Sequence, residues 1–359
     1  MKKTWKRISA LILLSAMLLS LAACGGPSTS TNGSDTSPVT DNSPTTSEGA
    51  TIHLRFAAQH NPETNYYKND MATLEKIRER SGGRIDIEMF GNGQLGDATQ
   101  VFDDVMSGTI DMAHISVNET YDARINAPML PYMSTTYDDL EEIYGKGSWL
   151  SDKISEYEAA LNLKHLAMIT EGFAGVATTV PVTDPEVIGA DKGVVVRVPG
   201  NDSFKLPTEL LGYRTSSIPY SDTFSAIQTG VVQGTQSGAI PGVYIYWRDV
   251  LKYYYNYMMS IEATQVLMNM DVWNSLSAED QEIIETAFKE DSEMSFETMR
   301  SEVDEYRQKI ADETDIQIID FTDEQRAEFA QAVRDEVWPQ FEANYTKEFL
   351  DELRANLPE

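Results

Sequence analysis

Once past its N-terminal segment, the chain alternates between strand-like and helix-like segments, and this pattern restricts the fold more than any other feature. Residues 51–57 and 85–90 alternate apolar and polar side chains, which predicts two strands. Residues 69–81 and 98–106 have the apolar spacing of helices, and each run ends next to glycine. Residues 110–115 predict the next strand. Such alternation indicates an α/β fold with a largely parallel sheet.

The same arrangement occurs a second time further along the chain. Residues 102–108 form a helix end and a glycine, followed by a short strand, and residues 224–230 repeat this order. A strand-like segment precedes each of them, at 85–90 and at 194–199. We therefore predict two α/β lobes of similar topology. Ligands bind beyond the carboxyl ends of strands in such sheets, so a cleft between the lobes is expected to hold the site.

The C-terminal third is rich in helical patterns. Ser277 and Thr322 have the residue spacing of helix N-caps, which predicts a helix start at each. Pro339 should bend or end the second of these helices because proline lacks an amide hydrogen. We interpret these helices as structural elements with solvated acidic faces.

The N-terminus has the features of an export signal. Residues 1–23 join a basic start to an apolar stretch shorter than the ~20 residues that span a bilayer, which predicts a signal peptide. Cys24 follows and is the one cysteine of the sequence. The L-A-A-C sequence resembles the lipobox of bacterial lipoproteins, which implies a lipid anchor on Cys24 at the outer face of the cytoplasmic membrane. The alternative is a spectator cysteine beside an ordinary cleavage site.

Residues 24–50 separate this anchor from the folded domain. They lack aromatic side chains and are rich in serine and threonine, which predicts a disordered tether with a reach of roughly 25–30 Å. The formal net charge of the chain is −29. This charge excludes nucleic acid as a partner, and any anionic ligand must be captured by local groups.

The motifs of common enzymes and metal sites are absent from the sequence. No H-E-x-x-H, G-x-S-x-G or phosphate-binding glycine loop is present. We predict no catalytic residue, no metal and no cofactor. None of the four histidines has a partner at metal-ligand spacing: His53, His60, His114 and His165.

Residues 194–200 read VVVRVPG and place Arg197 inside a valine-rich strand. A buried guanidinium is costly unless an anion meets it. Its partner is either a carboxylate of this chain or a carboxylate that arrives from solution. The residues alone favour the first, because buried arginines commonly pair internally.

The segment 191–234 resembles the signature region of the DctP-type solute-binding proteins of TRAP transporters. The similarity extends from about residue 51 to the C-terminus, with further matches at GQLGD (93–97), SGTIDMA (107–113) and LSAEDQEII (276–284). Within the signature region the matching residues, in the family's order, are Arg197-Val-Pro199, Leu211-Gly212, Pro219-Tyr-Ser-Asp222 and Ala226-Ile-Gln-Thr-Gly-Val-Val232.

The resemblance implies a two-lobed α/β fold of the periplasmic-binding-protein (Venus flytrap) type, with hinge strands and long C-terminal helices. We expect lobe I in residues 51–173 and about 262–300, lobe II in 174–261, and helices packing across both lobes in 301–359. The resemblance further implies a monomeric receptor, not an enzyme, that closes around a small organic acid or sugar acid. It would deliver this solute to a TRAP membrane permease. The alternatives are a binding protein of an ABC-type or other uptake system, and an exported polysaccharide-acting enzyme.

By the same resemblance, Arg197 makes a bidentate salt bridge to the ligand carboxylate. Tyr220 matches an aromatic residue that packs on the ligand. The remaining candidates lie near strand ends or in the aromatic segment 241–259, and each has a structural role as its alternative. These candidate ligand-binding residues are His60, Asn61, Gln94, Ser116, Asn118, Gln236, Ser237, Tyr244 and Trp247.

Two departures from the family pattern affect the expected ligand. Many relatives have a second arginine before the hinge, but residues 171–177 read EGFAGVA. Gln233, Gln236 and Ser237 replace the Asp, Glu and Asn that many relatives have after the helix of the second lobe. We therefore predict a monocarboxylate or hydroxylated acid rather than a dicarboxylate that needs two arginines.

Overall fold

The computed structural model of the chain describes residues 51–117 and 119–358. The predicted signal peptide, the lipidation site Cys24, the tether over 24–50 and the candidate Asn118 lie outside the described residues. No helix within the described ranges is long and apolar enough to cross a membrane.

The described residues form one mixed sheet surrounded by helices. The strands are β1 (Ile52–Ala58), β2 (Ile85–Phe90), β3 (Met112–Ile115), β4 (Leu163–Thr178), β5 (Val195–Val198), β6 (Arg214–Ser217), β7 (Gly234–Gln236), β8 (Tyr253–Asn269) and β9 (Gln317–Asp320). The helices are α1 (Asn65–Arg80), α2 (Ala98–Ser107), α3 (Leu140–Tyr144), α4 (Trp149–Ala159), α5 (Asp202–Leu210), α6 (Thr223–Gln228), α7 (Ile240–Gly242), α8 (Met270–Ser275), α9 (Ala278–Glu313), α10 (Asp323–Glu336), α11 (Glu342–Tyr345) and α12 (Lys347–Ala355).

The sheet contains two parallel groups of the same topology. In the first group β1 pairs in parallel with β2 and β3. In the second group β5 pairs in parallel with β6 and β7. The helix–glycine–strand repeat seen in the sequence connects to the last strand of each group, and both glycines, Gly108 and Gly230, have positive φ values of 78° and 76°. The two-lobed α/β architecture expected from the sequence is therefore confirmed.

Two long antiparallel strands join the groups. The strand order is β2-β1-β3-β8-β4-β7-β5-β6, with β9 beside β8. β4 has 16 residues and β8 has 17, so each is long enough to run through both groups. Most of their side chains are buried, as expected for central strands covered on both faces.

The pairing of β4 with β8 is irregular midway along both strands. Thr170 pairs with Ala263 and Phe173 with Ile261, so two residues of β4 oppose one residue of β8 between these pairs. Such a bulge redirects side chains and increases the local twist. One of the two β4 residues in this bulge is Gly172, whose φ of 106° favours glycine and whose added Cβ would lie 2.9 Å from the side chain of Ala239.

Two element boundaries differ from the sequence prediction for local reasons. Helix α1 begins at Asn65, earlier than predicted, because the Thr64 hydroxyl caps the first turn. Strand β3 begins at Met112 rather than at Ile110, because the Ile110 amide bonds the Asp104 carbonyl in the turn that ends α2.

The C-terminal helices begin where the sequence predicts. The Ser277 hydroxyl caps α9, and Thr322 forms a capping box at the start of α10. Helix α10 ends at Glu336, ahead of Pro339, as expected.

Helix α9 is 36 residues long and packs against the sheet at two separate places. Phe288 stacks on Phe56 of β1 at 6.0 Å between ring centroids. Val303 and Tyr306, further along α9, lie in a separate core cluster with Tyr254 of β8.

Candidate functional site

A cavity of about 160 Å³, lined by both polar and apolar side chains, lies where strands from both groups end. His60 follows β1, Ser116 follows β3, Arg197 lies in β5 and Ser237 follows β7. This is the carboxyl edge of the parallel strands, where α/β sheets bind ligands. The cavity is lined by Gln59, His60, Ala98, Ser116, Val117, Asn126, Met129, Glu171, Arg197, Pro199, Asn201, Phe204, Tyr220, Ser237, Tyr246, Glu262 and Thr264.

Arg197 is buried and has no carboxylate partner within the described part of the chain. Its side chain is 3% exposed, and it donates from Nε to the Ile218 carbonyl and from Nη1 to Ser237 Oγ, both at 2.8 Å. Burial lowers the pKa of Arg197 to about 10, and the nearby Tyr220 and Glu262 only partly offset this. The guanidinium stays charged at neutral pH, and its charge is not compensated by an ion pair.

Aromatic rings form one wall of the cavity. The Arg197 guanidinium lies 5.7 Å from the centroid of the Tyr220 ring. Tyr220 in turn packs edge-to-face against Tyr246 and Trp247, each at 5.7 Å between centroids. Tyr220 is 46% exposed because its ring lines the open cavity. The wall offers apolar surface to a ligand held by polar groups at its ends.

Two acidic side chains reach the cavity from the irregular region of the long strands. Glu171 is one of the two β4 residues in the bulge, and Glu262 is the residue of β8 that opposes them. His60 donates from Nε2 to Glu171 Oε1 at 2.8 Å, and Thr264 Oγ1 donates to the same oxygen at 2.9 Å. The bulge therefore places two carboxylates beside one cavity, although regular alternation would not predict it.

The carboxylates and His60 influence one another's protonation. Burial raises the pKa of Glu171, but the charge of His60 and its hydrogen bond outweigh burial and lower the pKa. Burial lowers the pKa of His60, and the charge of Glu171 reverses this and raises it. Burial and the charge of Glu171 together raise the pKa of Glu262 to about 7. Glu171 and His60 thus form an ion pair, while Glu262 is near half-ionisation at neutral pH.

One group beside the cavity has the composition of a metal site. His60, His114 and Glu171 place one potential ligand atom each within 4.8 Å of one another. The same atoms already serve hydrogen bonds, because His114 bonds Asp70 at 2.9 Å and Thr264 at 2.8 Å. A metal ion would have to replace these bonds and the His60–Glu171 pair.

The structure brings five of the candidate residues together at the cavity: His60, Ser116, Arg197, Tyr220 and Ser237. Five others lie outside its lining. Asn61 touches the site only through its backbone amide, which donates to the Tyr246 hydroxyl at 3.1 Å. Gln94 is exposed on a loop.

Of the remaining three candidates, two are buried in the protein interior and the third contacts a residue outside the cavity. Gln236 is fully buried, and its amide nitrogen contacts the sulfur of Met259 at 3.7 Å. Trp247 is 2% exposed, and its ring packs edge-to-face against the Tyr220 ring. The Tyr244 hydroxyl donates to Glu313.

Sequence reasoning missed Glu171, Glu262 and Tyr246. Glu171 had a detectable signal, because it interrupts the largely apolar segment MITEGF as Arg197 interrupts a run of valines, whereas Glu262 lies among polar residues in SIEATQ. Tyr246 lies in a segment with so many aromatic residues that no single one stood out. The other polar residues of the lining that were missed are Gln59, Asn126, Asn201 and Thr264.

A second cavity of about 220 Å³ contains lysines, and each of them has a carboxylate partner. Lys146 and Lys164 both pair with Glu285, at 2.7 and 3.1 Å, and Lys289 pairs with Glu293. A site that captures an anion from an acidic protein needs a cation without an internal partner. Arg197 meets that condition and these lysines do not.

Two α/β groups joined by long strands, with a polar cavity at the strand ends, define the class of two-lobed solute-binding proteins. The chain belongs to the bacterial extracellular solute-binding proteins of family 7, the DctP family, whose model matches residues 56–344. This family consists of the substrate-binding proteins of TRAP transport systems, and its members are transport proteins rather than enzymes.

Relatives cover most of the chain. The C4-dicarboxylate-binding protein DctB of Bacillus subtilis (strain 168) is 25% identical over 321 residues, which are 85% of this chain and 87% of that protein. The ectoine/5-hydroxyectoine-binding periplasmic protein UehA of Ruegeria pomeroyi is 24% identical over 267 residues, covering 72% of this chain and 77% of that protein.

Solved structures share the fold at lower sequence identity. A TRAP periplasmic solute-binding protein from Pseudomonas putida F1 with bound D-glucuronate has a TM-score of 0.74 and 22% identity, covering 86% of this chain and 98% of its own. The sugar acid binding protein DctPAm from Advenella mimigardefordensis in complex with galactonate has a TM-score of 0.77 and 17% identity, covering 86% and 99%. These similarities establish the fold of this chain. The D-glucuronate and galactonate are solutes of the two solved structures and identify no solute of this chain.

Proposed function

We propose that this protein captures a small solute with a single carboxylate and delivers it to a TRAP membrane permease. The observation that carries the proposal is the buried, unpaired guanidinium of Arg197 at the edge of the cavity. A ligand carboxylate would supply the missing counter-ion in bidentate geometry, in a site that loses water on binding. Bound sugar acids in structural neighbours support this solute class.

The preference for one carboxylate follows from the other charges of the cavity. The segment 171–177 lacks the second arginine that many relatives have, and Glu171 and Glu262 place two acidic groups at the cavity. A second carboxylate on the ligand would meet these groups in a buried environment, where like charges repel strongly. Hydroxyl or ammonium groups on the ligand would instead donate to them.

Capture would occur by closure of the two lobes. We propose lobe I in residues 51–173 and about 262–300 and lobe II in 174–261, with the helices of 301–359 packing across both lobes. The irregular pairing near Thr170 and Ile261 is a suitable hinge, because bulged strands bend more readily than regular ones. Ligand contacts from both lobes would shift the population toward the closed form.

To deliver its solute, the protein must lie outside the cytoplasm and close to its permease. We propose that residues 1–23 are removed, that Cys24 carries the lipid anchor, and that residues 24–50 tether a monomeric receptor to the membrane. Mass spectrometry of the mature chain tests the anchor, since a Cys24→Ala variant should lose both the lipid mass and membrane retention. An unmodified Cys24 in membrane-released protein would contradict this part of the proposal.

A thermal-shift screen followed by calorimetry tests the solute class. The panel contains D-galacturonate, D-glucuronate and gluconate as single carboxylates, succinate and L-malate as dicarboxylates, and the methyl ester of galacturonate as a control without the charge. Stabilisation by acids with one carboxylate and none by the ester is expected. Tight binding of succinate or malate would show that the single-carboxylate assignment is wrong.

A further inference from the structure

The cavity contains one cationic side chain, Arg197, and one acidic side chain, Glu262, that lack an ionic partner among residues 51–117 and 119–358. Arg197 bonds a backbone carbonyl and a hydroxyl. Glu262 accepts from the Gly238 amide at 2.5 Å, and no lysine, arginine or histidine side chain pairs with it. Glu171 differs from Glu262 because His60 compensates its charge at 2.8 Å. The two unpaired groups do not form an ion pair with each other, so the cavity presents both charges to a ligand.

Aromatic faces accompany the unpaired anion. Tyr220 and Tyr246 line the same cavity as Glu262 and lie 5.7 Å apart between ring centroids. Burial raises the pKa of the Tyr220 and Tyr246 phenols, and the charges of Glu262 and Glu171 raise it further. Carboxylates beside tyrosine rings form a favourable environment for an ammonium group, which gains from both the charge and the ring faces.

A ligand with a carboxylate alone would compensate Arg197 but add a negative charge near Glu262. A dicarboxylate would bring two negative charges into the cavity, where only Arg197 could compensate one of them. A ligand with one carboxylate and one cationic group compensates both unpaired residues and leaves the net charge of the cavity unchanged. Because uncompensated charges are most costly in a buried site, this third ligand type gains most from binding.

We propose that Glu262, with Tyr220 and Tyr246, forms a subsite for a cationic group, and that the solute is a zwitterion whose carboxylate binds Arg197. This inference rests on the proposed function and narrows its solute class. The cation is an ammonium or amidinium group separated from the carboxylate by a short spacer, since a cavity of about 160 Å³ accepts only a small molecule.

A length-matched series tests the inference by isothermal titration calorimetry at pH 7.5 with the purified chain. For spacers of three to six carbons, each ω-amino acid is compared with the ω-hydroxy acid and the dicarboxylic acid of the same length. 4-Aminobutyrate, 4-hydroxybutyrate and succinate are one such set. At the best length, the amino acid should bind at least about tenfold more tightly than its hydroxy and diacid counterparts.

Variants at Glu262 assign the preference to that side chain. Glu262→Gln should weaken binding of the best ω-amino acid at least about tenfold and leave the matched hydroxy acid within about threefold. Glu262→Asp retains the charge and should retain the order of preference. Thermal unfolding of each variant confirms that it is folded.

The outcomes separate the inference from the proposed function. If hydroxy or sugar acids bind and no ω-amino acid does, the zwitterion subsite is wrong and the single-carboxylate receptor stands. If dicarboxylates bind most tightly, both are wrong. A preference for ω-amino acids that survives in Glu262→Gln would also overturn the subsite.

Discussion

Replacing Arg197 with methionine removes the cavity's guanidinium while keeping much of the side-chain volume. Burial lowers the pKa of Arg197 from 12.5 to about 10, so burying the charge costs the folded state roughly 3 kcal/mol at neutral pH. The substitution removes that cost but breaks two hydrogen bonds from a charged donor, worth about 1.5–3 kcal/mol each. The opposing effects largely cancel, and the free energy of unfolding should fall by no more than about 3 kcal/mol.

Ligand binding by the same variant should change far more than stability. A ligand carboxylate that enters the cavity without Arg197 would be desolvated with no cationic partner. Truncating one member of such a buried pair costs about 2–5 kcal/mol, which corresponds to a loss of affinity of roughly 30-fold to several thousand-fold.

Urea denaturation and calorimetry measure the two quantities in parallel, with the tightest-binding compound of the panels above as ligand. Arg334→Met is a control outside the cavity, because Arg334 is an exposed arginine whose guanidinium donates to a backbone carbonyl, that of Tyr132, at 2.7 and 3.0 Å. This control should alter stability and leave affinity within about twofold of the parent. A folded Arg197→Met protein that binds the ligand as tightly as the parent would show that the guanidinium is structural.

Three further predictions concern Ser237, Glu262 and the buried Asp70–His114 pair. Ser237→Ala removes the acceptor of the Nη1 bond and should weaken binding about tenfold by calorimetry, whereas unchanged affinity would show that Ser237 does not orient the guanidinium. The pKa of Glu262 rises from 4.5 to about 7 on folding, so the folded state retains a proton that the unfolded state loses, and stability falls as pH rises across this interval. Glu262→Gln should therefore match the parent near pH 4.5 and exceed it by up to roughly 3 kcal/mol at pH 8 in denaturation at several pH values; a constant difference would contradict the assignment. Asp70→Asn breaks the buried pair with His114 and should cost about 3 kcal/mol in urea unfolding, and a loss well below 1 kcal/mol would mean that the pair contributes little.

Much of the fold could be predicted because local sequence and tertiary structure agree. Strand β2, helix α2 and the starts of α9 and α10 lie where alternation, apolar spacing and capping residues place them. The recurrence of helix, glycine and strand in the sequence indicates two groups of similar topology.

The site was only partly predictable because its geometry depends on an irregularity. Arg197 stood out as a charge in an apolar strand, and strand ends indicated His60 and Ser116. Glu171 and Glu262 reach the cavity through unequal pairing of β4 and β8, which depends on residues about ninety positions apart. Sequence periodicity carries no information about such a register shift. Only the structure therefore shows that Glu171 and Glu262 lie beside the same cavity.

The role of Arg197 is tested most directly by a crystal structure with the tightest-binding solute of the panels. A carboxylate of the solute should lie about 2.7–2.9 Å from two guanidinium nitrogens, with Glu171 and Glu262 facing the other end of the molecule. A solute bound elsewhere, with the Arg197 guanidinium paired to Glu262 or to another carboxylate of the chain, would contradict the account.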